Sequence, residues 1–122
     1  MGMDAYLYIV HNRKEISQDN FWDNCITVKD QEAWENYKFD KPAEVWYNRK
    51  NWNLHLEVFN KDYECGEYVE IDMDTLDEMI QYTTHYPDYF GGFSTVEQLC
   101  FIYQHYADMK SHGMILVYEA DW

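Results

Sequence analysis

Two β-forming runs stand at the ends of this chain, and they constrain what lies between them. AYLYIV, residues 5–10, and MILVYEA, residues 114–120, are rich in aromatic and aliphatic side chains and read as strands. A third run, EYVEIDM at 67–73, alternates cleanly. Val69, Ile71 and Met73 fall on one side; Tyr68, Glu70 and Asp72 fall on the other, so one face is apolar and one acidic. The intervals carry helical signals. Residues 43–60, AEVWYNRKNWNLHLEVFN, place Val45, Trp52, Leu56 and Phe59 on one face, with Trp46 and Arg49 beside that stripe. Asp74 is in position to cap a helix over 74–86, with Asp77 and Glu78 in its first turn and Leu76, Met79, Ile80 and Thr83 inward. STVE, 94–97, has the form of a capping box, and the helix it opens reaches 111, with Gly113 as the residue that ends it. PDYFGGF, 87–93, reads as a turn.

The remaining stretches are less regular. HNRKEISQDN after the first strand is a polar loop. FWDNCITV, 21–28, fits either a short strand or irregular chain. DQEAWENYKFDKP reads as a loop or a short helical turn ending at Pro42. The expected architecture is α+β: about three strands (5–10, 67–73, 114–120) packed by about three helices (43–60, 74–86, 94–111). No repeat or linker divides it, so residues 1–122 form a single domain.

Aromatics at 19% of 122 residues argue against disorder, which requires low hydrophobicity. Cys25, Cys65 and Cys100 form no zinc or CxxC pattern, and three is an odd number, so buried free thiols in a reducing cytoplasm are expected. The first ten residues lack the basic and long apolar segments of a secretory leader, and no run approaches 18 apolar residues.

The net charge is −14, and it is unevenly spread. Residues 1–61 hold eight basic and ten acidic side chains, a balance of −2. Residues 62–122 hold Lys110 and thirteen acids, a balance of −12. Such a half argues against direct binding of nucleic acid or anionic membrane and favours a basic partner, or none; the plain reading of its carboxylates is a solvated face and a helix N-terminus. Its densest part is YECGEYVEIDMDTLDEM, 63–79, with Glu64, Glu67, Glu70, Asp72, Asp74, Asp77 and Glu78. On a strand Glu70 and Asp72 stand roughly 7 Å apart, close to the spacing of successive phosphates along a nucleic acid strand. Asp88, Glu97 and Asp108 extend the track. A calcium loop does not fit: counted from Asp72, the fifth position is Leu76 and the sixth is Asp77 rather than glycine.

No metal, cofactor or catalytic residue is expected. His11, His55, His85, His105 and His112 are scattered, without HExxH spacing or a Cys partner. Ser17, Ser94 and Ser111 have no nucleophile-elbow context, and Cys100 has apolar neighbours suited to packing. An alternative pocket is Trp46, Arg49, Trp52 and His55, where a guanidinium beside aromatic rings would grip a small anion or nucleotide. The plainer reading is an internal ion pair of Arg49 with the acidic half of the chain, and packing or a hydrogen bond for His55.

Four ordered pieces of the chain are similar to a widespread group of small phage and prophage proteins. The start MGMDAYLYIV resembles that group's MGLDxYLY. VWYNRKNWNLHLEVF, 45–59, is similar to its WRKxNxxH helix, FGGF at 90–93 to its FFG turn, and VYEADW at the end to its YxASW. Trp52 and Val58 depart from that pattern. Members often carry a phosphoglycerate kinase label. This chain has no Gly-rich phosphate loop and is too short for that two-domain enzyme. The resemblance implies a phage accessory protein and transfers no catalytic residue. With the charge, it gives the expectation of a non-enzymatic protein in the cytoplasm of an infected bacterium. That protein binds a basic, nucleic-acid-binding host defence protein of restriction or CRISPR type by imitating DNA. Direct nucleic-acid or membrane binding is not expected, and a homodimer is compatible with the sequence.

Overall fold

The computed structural model describes residues 3–49, 52–59, 64–85 and 93–122. The protein is α+β, with a mixed five-stranded sheet instead of three strands. The strands are β1 (Asp4–Val10), β2 (Ile26–Thr27), β3 (Ala43–Arg49), β4 (Val69–Glu70) and β5 (Ile115–Asp121), in the order β2-β3-β1-β5-β4. β2 and β3 are parallel and the other pairs antiparallel. The helices are α1 (Phe21–Asn24), α2 (Gln31–Asn36), α3 (Trp52–Phe59), α4 (Met73–His85) and α5 (Phe93–Ser111), with a 3₁₀ turn at Arg13–Ser17. No helix among the described residues is long and apolar enough to cross a membrane. The turn expected at 87–93 lies outside the described residues apart from Phe93, which begins α5.

Strand β1 lies in the middle of the sheet, between β3 and β5. Ala5, Leu7 and Ile9 face the main core, which they share with Trp34, Leu54, Leu76, Met79, Leu99 and Ile102 of the helices. Tyr8 and Val10 face the other way, into a smaller cluster with Ile16, Phe21 and Val117. Both faces are therefore covered at the centre, so the terminal runs are apolar on nearly every residue rather than alternating.

The expected helix over 43–60 is a correction. Its first part is β3, and among the described residues only Trp52–Phe59 is helical. The register explains why the sequence misled. Leu7 pairs with Trp46, but Tyr8 pairs with Glu44, so Val45 is the extra residue of a β-bulge. The bulge shifts the alternation by one. Ala43, Val45, Trp46 and Asn48 all become buried, so β3 lacks the period of two that marks a strand, and its Val45 falls in line with the apolar stripe of the helix that follows.

The strand expected over 67–73 is shorter, with ladder pairs at Val69 and Glu70. Ile71 still donates its N–H to Leu116 O at 2.8 Å and is buried. The chain then turns at Asp72, whose carboxylate accepts the Thr75 N–H at 2.8 Å. Asp72, not Asp74, thus caps α4, and α4 starts one residue earlier than expected. α5 likewise begins at Phe93, so Ser94 lies inside the helix rather than ahead of it. Its end is as expected. Gly113 has φ +76°, its N–H bonds Lys110 O (3.0 Å), and Met114 N–H bonds Met109 O (3.1 Å), which is a Schellman stop. A side chain at Gly113 would meet nothing within 4 Å, so the backbone angle, not space, calls for glycine.

Candidate partner-binding surface

The acidic stretch begins as a tight turn tied to the end of β5. Gly66 N–H donates to Ala120 O (2.8 Å), and the Trp122 N–H meets Cys65 Sγ (3.2 Å). Cys65 is exposed, which corrects the expectation of a buried thiol. Glu67 Oε2 accepts the Glu64 N–H at 3.2 Å, and both residues are exposed. Glu70 points outward from β4, where Lys110 Nζ of α5 reaches it at 3.8 Å. Asp74 and Glu78 are exposed one helical turn apart on α4, about 6 Å along its axis.

Three of the seven carboxylates accept local hydrogen bonds: Glu67 in its turn, and Asp72 and Asp77 at the start of α4. The Thr75 backbone N–H and hydroxyl hold the Asp72 carboxyl below the usual carboxylate range. Asp77 is half-buried and accepts from Gln81 Nε2 at 2.8 Å. Because Asp72 is a cap, it does not continue a strand row with Glu70. The regular pair on this surface is Asp74 and Glu78. Asp88 lies outside the described residues, while Glu97 and Asp108 are exposed on α5.

The four residues of the alternative pocket are distributed differently from expectation. Trp46 is 0% exposed and points into the main core. Arg49 lies at the opposite parity of β3, exposed, with its Nε 4.0 Å from Asp4 Oδ1. His55 is 2% exposed on the helix side of the sheet. Its Nδ1 lies 2.9 Å from Tyr118 Oη, and its ring stacks on Phe59 and Tyr118. The Trp52 side chain lies outside the described structure. The sheet thus separates Arg49 from Trp46 and His55.

Burial lowers the His55 pKa. The folded state holds it neutral and the unfolded chain protonates near 6.5, so its contribution to stability is complete above 6.5 and is lost as pH falls below it. We expect Tyr118→Phe, which strips the imidazole of this hydroxyl partner, to cost about 1–2 kcal/mol in urea denaturation at pH 7.

A second polar feature was not foreseen. Glu119 on β5 is 7% exposed, directly across the ladder from Tyr6 and flanked by Tyr8 and Tyr68. Burial, and then the hydrogen bond and charge of Asp121, push its carboxyl up to about 8. Around it Tyr6 stacks on Tyr8 (5.7 Å) and packs on Tyr47 (5.1 Å), whose hydroxyl donates to Asp4 at 2.7 Å. Trp22, 62% exposed, meets the edge of Tyr8. A signal for Glu119 does exist in the sequence: it sits inside ILVYEAD, where both parities are apolar, so a charged residue there has nowhere wet to point. Cys25, beside this cluster, has its thiol pushed up to about 11 by burial, which leaves it unreactive. Among the described residues no three His, Cys, Asp or Glu side chains come together as a metal site.

Comparison with known protein families, with curated proteins and with solved structures finds no match for this chain.

Proposed function

We propose that this protein is a non-enzymatic binding protein whose acidic surface occupies the nucleic-acid groove of a basic host protein. The observation that carries the reading is the run of exposed carboxylates Glu64, Glu67, Glu70, Asp74 and Glu78, from the Cys65 turn onto α4, in a half-chain with one basic residue. Asp72 and Asp77 add charge while fixing the helix start. Basic grooves bind phosphates mostly through charge, so carboxylates at comparable spacing compete for the same cations. On this reading the target is a restriction or CRISPR defence protein in the cytoplasm of an infected bacterium, a choice supported by the resemblance to phage proteins. The alternative small-molecule pocket gains no support from the sheet, which sets Arg49 and His55 on opposite faces.

The test is the triple variant Glu70→Lys, Asp74→Lys, Glu78→Lys. These side chains are exposed, and α4 keeps its Asp72 cap, so the fold is retained. Capture of a nucleic-acid-binding protein from host lysate is expected to fall at least about tenfold, with an unchanged circular dichroism spectrum. Undiminished capture by the folded variant contradicts the proposal.

A further inference from the structure

Between α2 and α5 lies a cavity of about 390 Å³, lined by Gln31, Trp34, Glu35, Phe101, Gln104 and His105. Its floor is aromatic and firmly held. Trp34 is 3% exposed and stacks face to face on His105, with centroids 4.8 Å apart and planes 1° from parallel. Tyr37 and Phe39 pack on Trp34 from the other end of α2, and Phe39 adopts φ +54° to do so. A non-glycine residue holds that angle only where its surroundings impose it. The rim is rich in acceptors. Glu35 accepts one bond from Gln31 Nε2 (3.1 Å) and makes no ion pair among the described residues. Gln31 and Gln104 add amide carbonyls, and just beyond the lining Asp108 Oδ2 stands 3.9 Å from His105 Nδ1.

We propose that this cavity receives the guanidinium of an arginine side chain from the basic partner; the inference rests on the proposed function for the source of that arginine. A guanidinium is flat, carries five donors and no acceptor, and stacks on rings while gripping a carboxylate. Aromatic walls beside a carboxylate and amide carbonyls match each of those properties. The volume lies within the roughly 300–1,000 Å³ range of small-ligand sites. A phosphorylated ligand is disfavoured by Glu35, Asp108 and a net charge of −14. The cavity is also joined to the acidic surface. Glu97, Gln104 and Asp108 recur along the exposed side of α5, which packs against α4 on one flank and Trp34 on the other.

The test is a ¹H–¹⁵N NMR titration of the intact protein with N-acetyl-arginine amide, beside the uncharged citrulline analogue and the lysine analogue. The expected result is saturable shifts at the Trp34 indole N–H and the Gln31 and Gln104 side-chain amides. Citrulline should bind at least about tenfold more weakly, and Glu35→Gln should weaken arginine by about tenfold. The lysine variant at Glu70, Asp74 and Glu78 should leave that binding within about twofold, since its charges lie on β4 and α4 and none belongs to the cavity lining. Equal response to arginine and citrulline, shifts confined to other regions, or indifference to Glu35→Gln overturns the inference. If arginine ignores the cavity while the acidic surface still captures its partner, this inference alone falls. Arginine binding in the cavity without any partner capture upholds the site and removes the proposed function.

Discussion

Between pH 6.5 and 8 the protein is expected to lose about 2 kcal/mol of folding stability, and Glu119→Gln to remove most of that loss. The folded state keeps Glu119 protonated up to about 8, whereas the unfolded chain releases that proton near 4.5. A raised acid favours folding fully below its unfolded pKa, and the advantage drains away as pH climbs to the folded value. Below 6.5 His55 opposes this slope, because its depressed pKa makes stability rise with pH as the unfolded chain loses its proton. Above 6.5 His55 is neutral in both states. Cys25 and Tyr6 titrate far higher, at about 11 and 12, so the window from 6.5 to 8 belongs to Glu119. Each pH unit contributes about 1.4 kcal/mol when one proton separates the two states. Glutamine keeps the shape and a donor toward Asp121 but cannot ionise. Urea midpoints at pH 6.5 and 8 measure the effect. Equal slopes for the two proteins would mean that Glu119 is ionised and solvated in the fold.

Trp46→Ala is expected to destabilise the protein by about 3–5 kcal/mol, a large part of the roughly 5–15 kcal/mol that holds a domain of this size. Trp46 is fully buried, and it stands beside the bulge that lets β3 turn both Val45 and Trp46 inward. Its removal opens a void at the junction of β1, β3 and the helices. Trp46→Phe should cost less than half as much. The indole Nε1 is buried without a hydrogen-bond partner among the described residues, so phenylalanine loses area but also removes an unmet donor. Chemical denaturation of the two variants separates these contributions. A penalty for phenylalanine equal to that for alanine would show that the indole N–H is satisfied after all.

The elements legible in the sequence were those whose signals are local. α5 carries its own stop at Gly113, α4 carries carboxylates in its first turn, and the terminal strands are runs of aromatic and aliphatic β-formers. What escaped was set by partners distant in sequence. β3 lost the alternation of a strand because a bulge opposite Leu7 and Tyr8 rephases it, and so it merged with the helical stripe that follows. β2 is two residues long and exists because Pro42 O and Glu44 O accept the N–H groups of Ile26 and Val28. The pattern EIDMD holds two candidate caps two residues apart, and the chain leaves the sheet after Ile71, so Asp72 takes the position. For the acidic surface, the sequence marked every carboxylate but not their division of labour. Asp72 and Asp77 are bound to local donors, whereas Glu70, Asp74 and Glu78 face outward. The cavity between α2 and α5 depends on Trp34 meeting His105 from 71 positions away in the chain, a pairing that no spacing announces.

The most direct test of the central claim is competition. The protein is immobilised, a host lysate is passed over it, and the captured protein is challenged with duplex DNA and, separately, with raised salt. The expected result is a nucleic-acid-binding protein released by both, since carboxylates and phosphates contend for the same cations and salt screens them alike. A captured protein that stays bound in the presence of saturating DNA, with undiminished capture at high salt, would contradict the claim that this acidic surface stands in for nucleic acid.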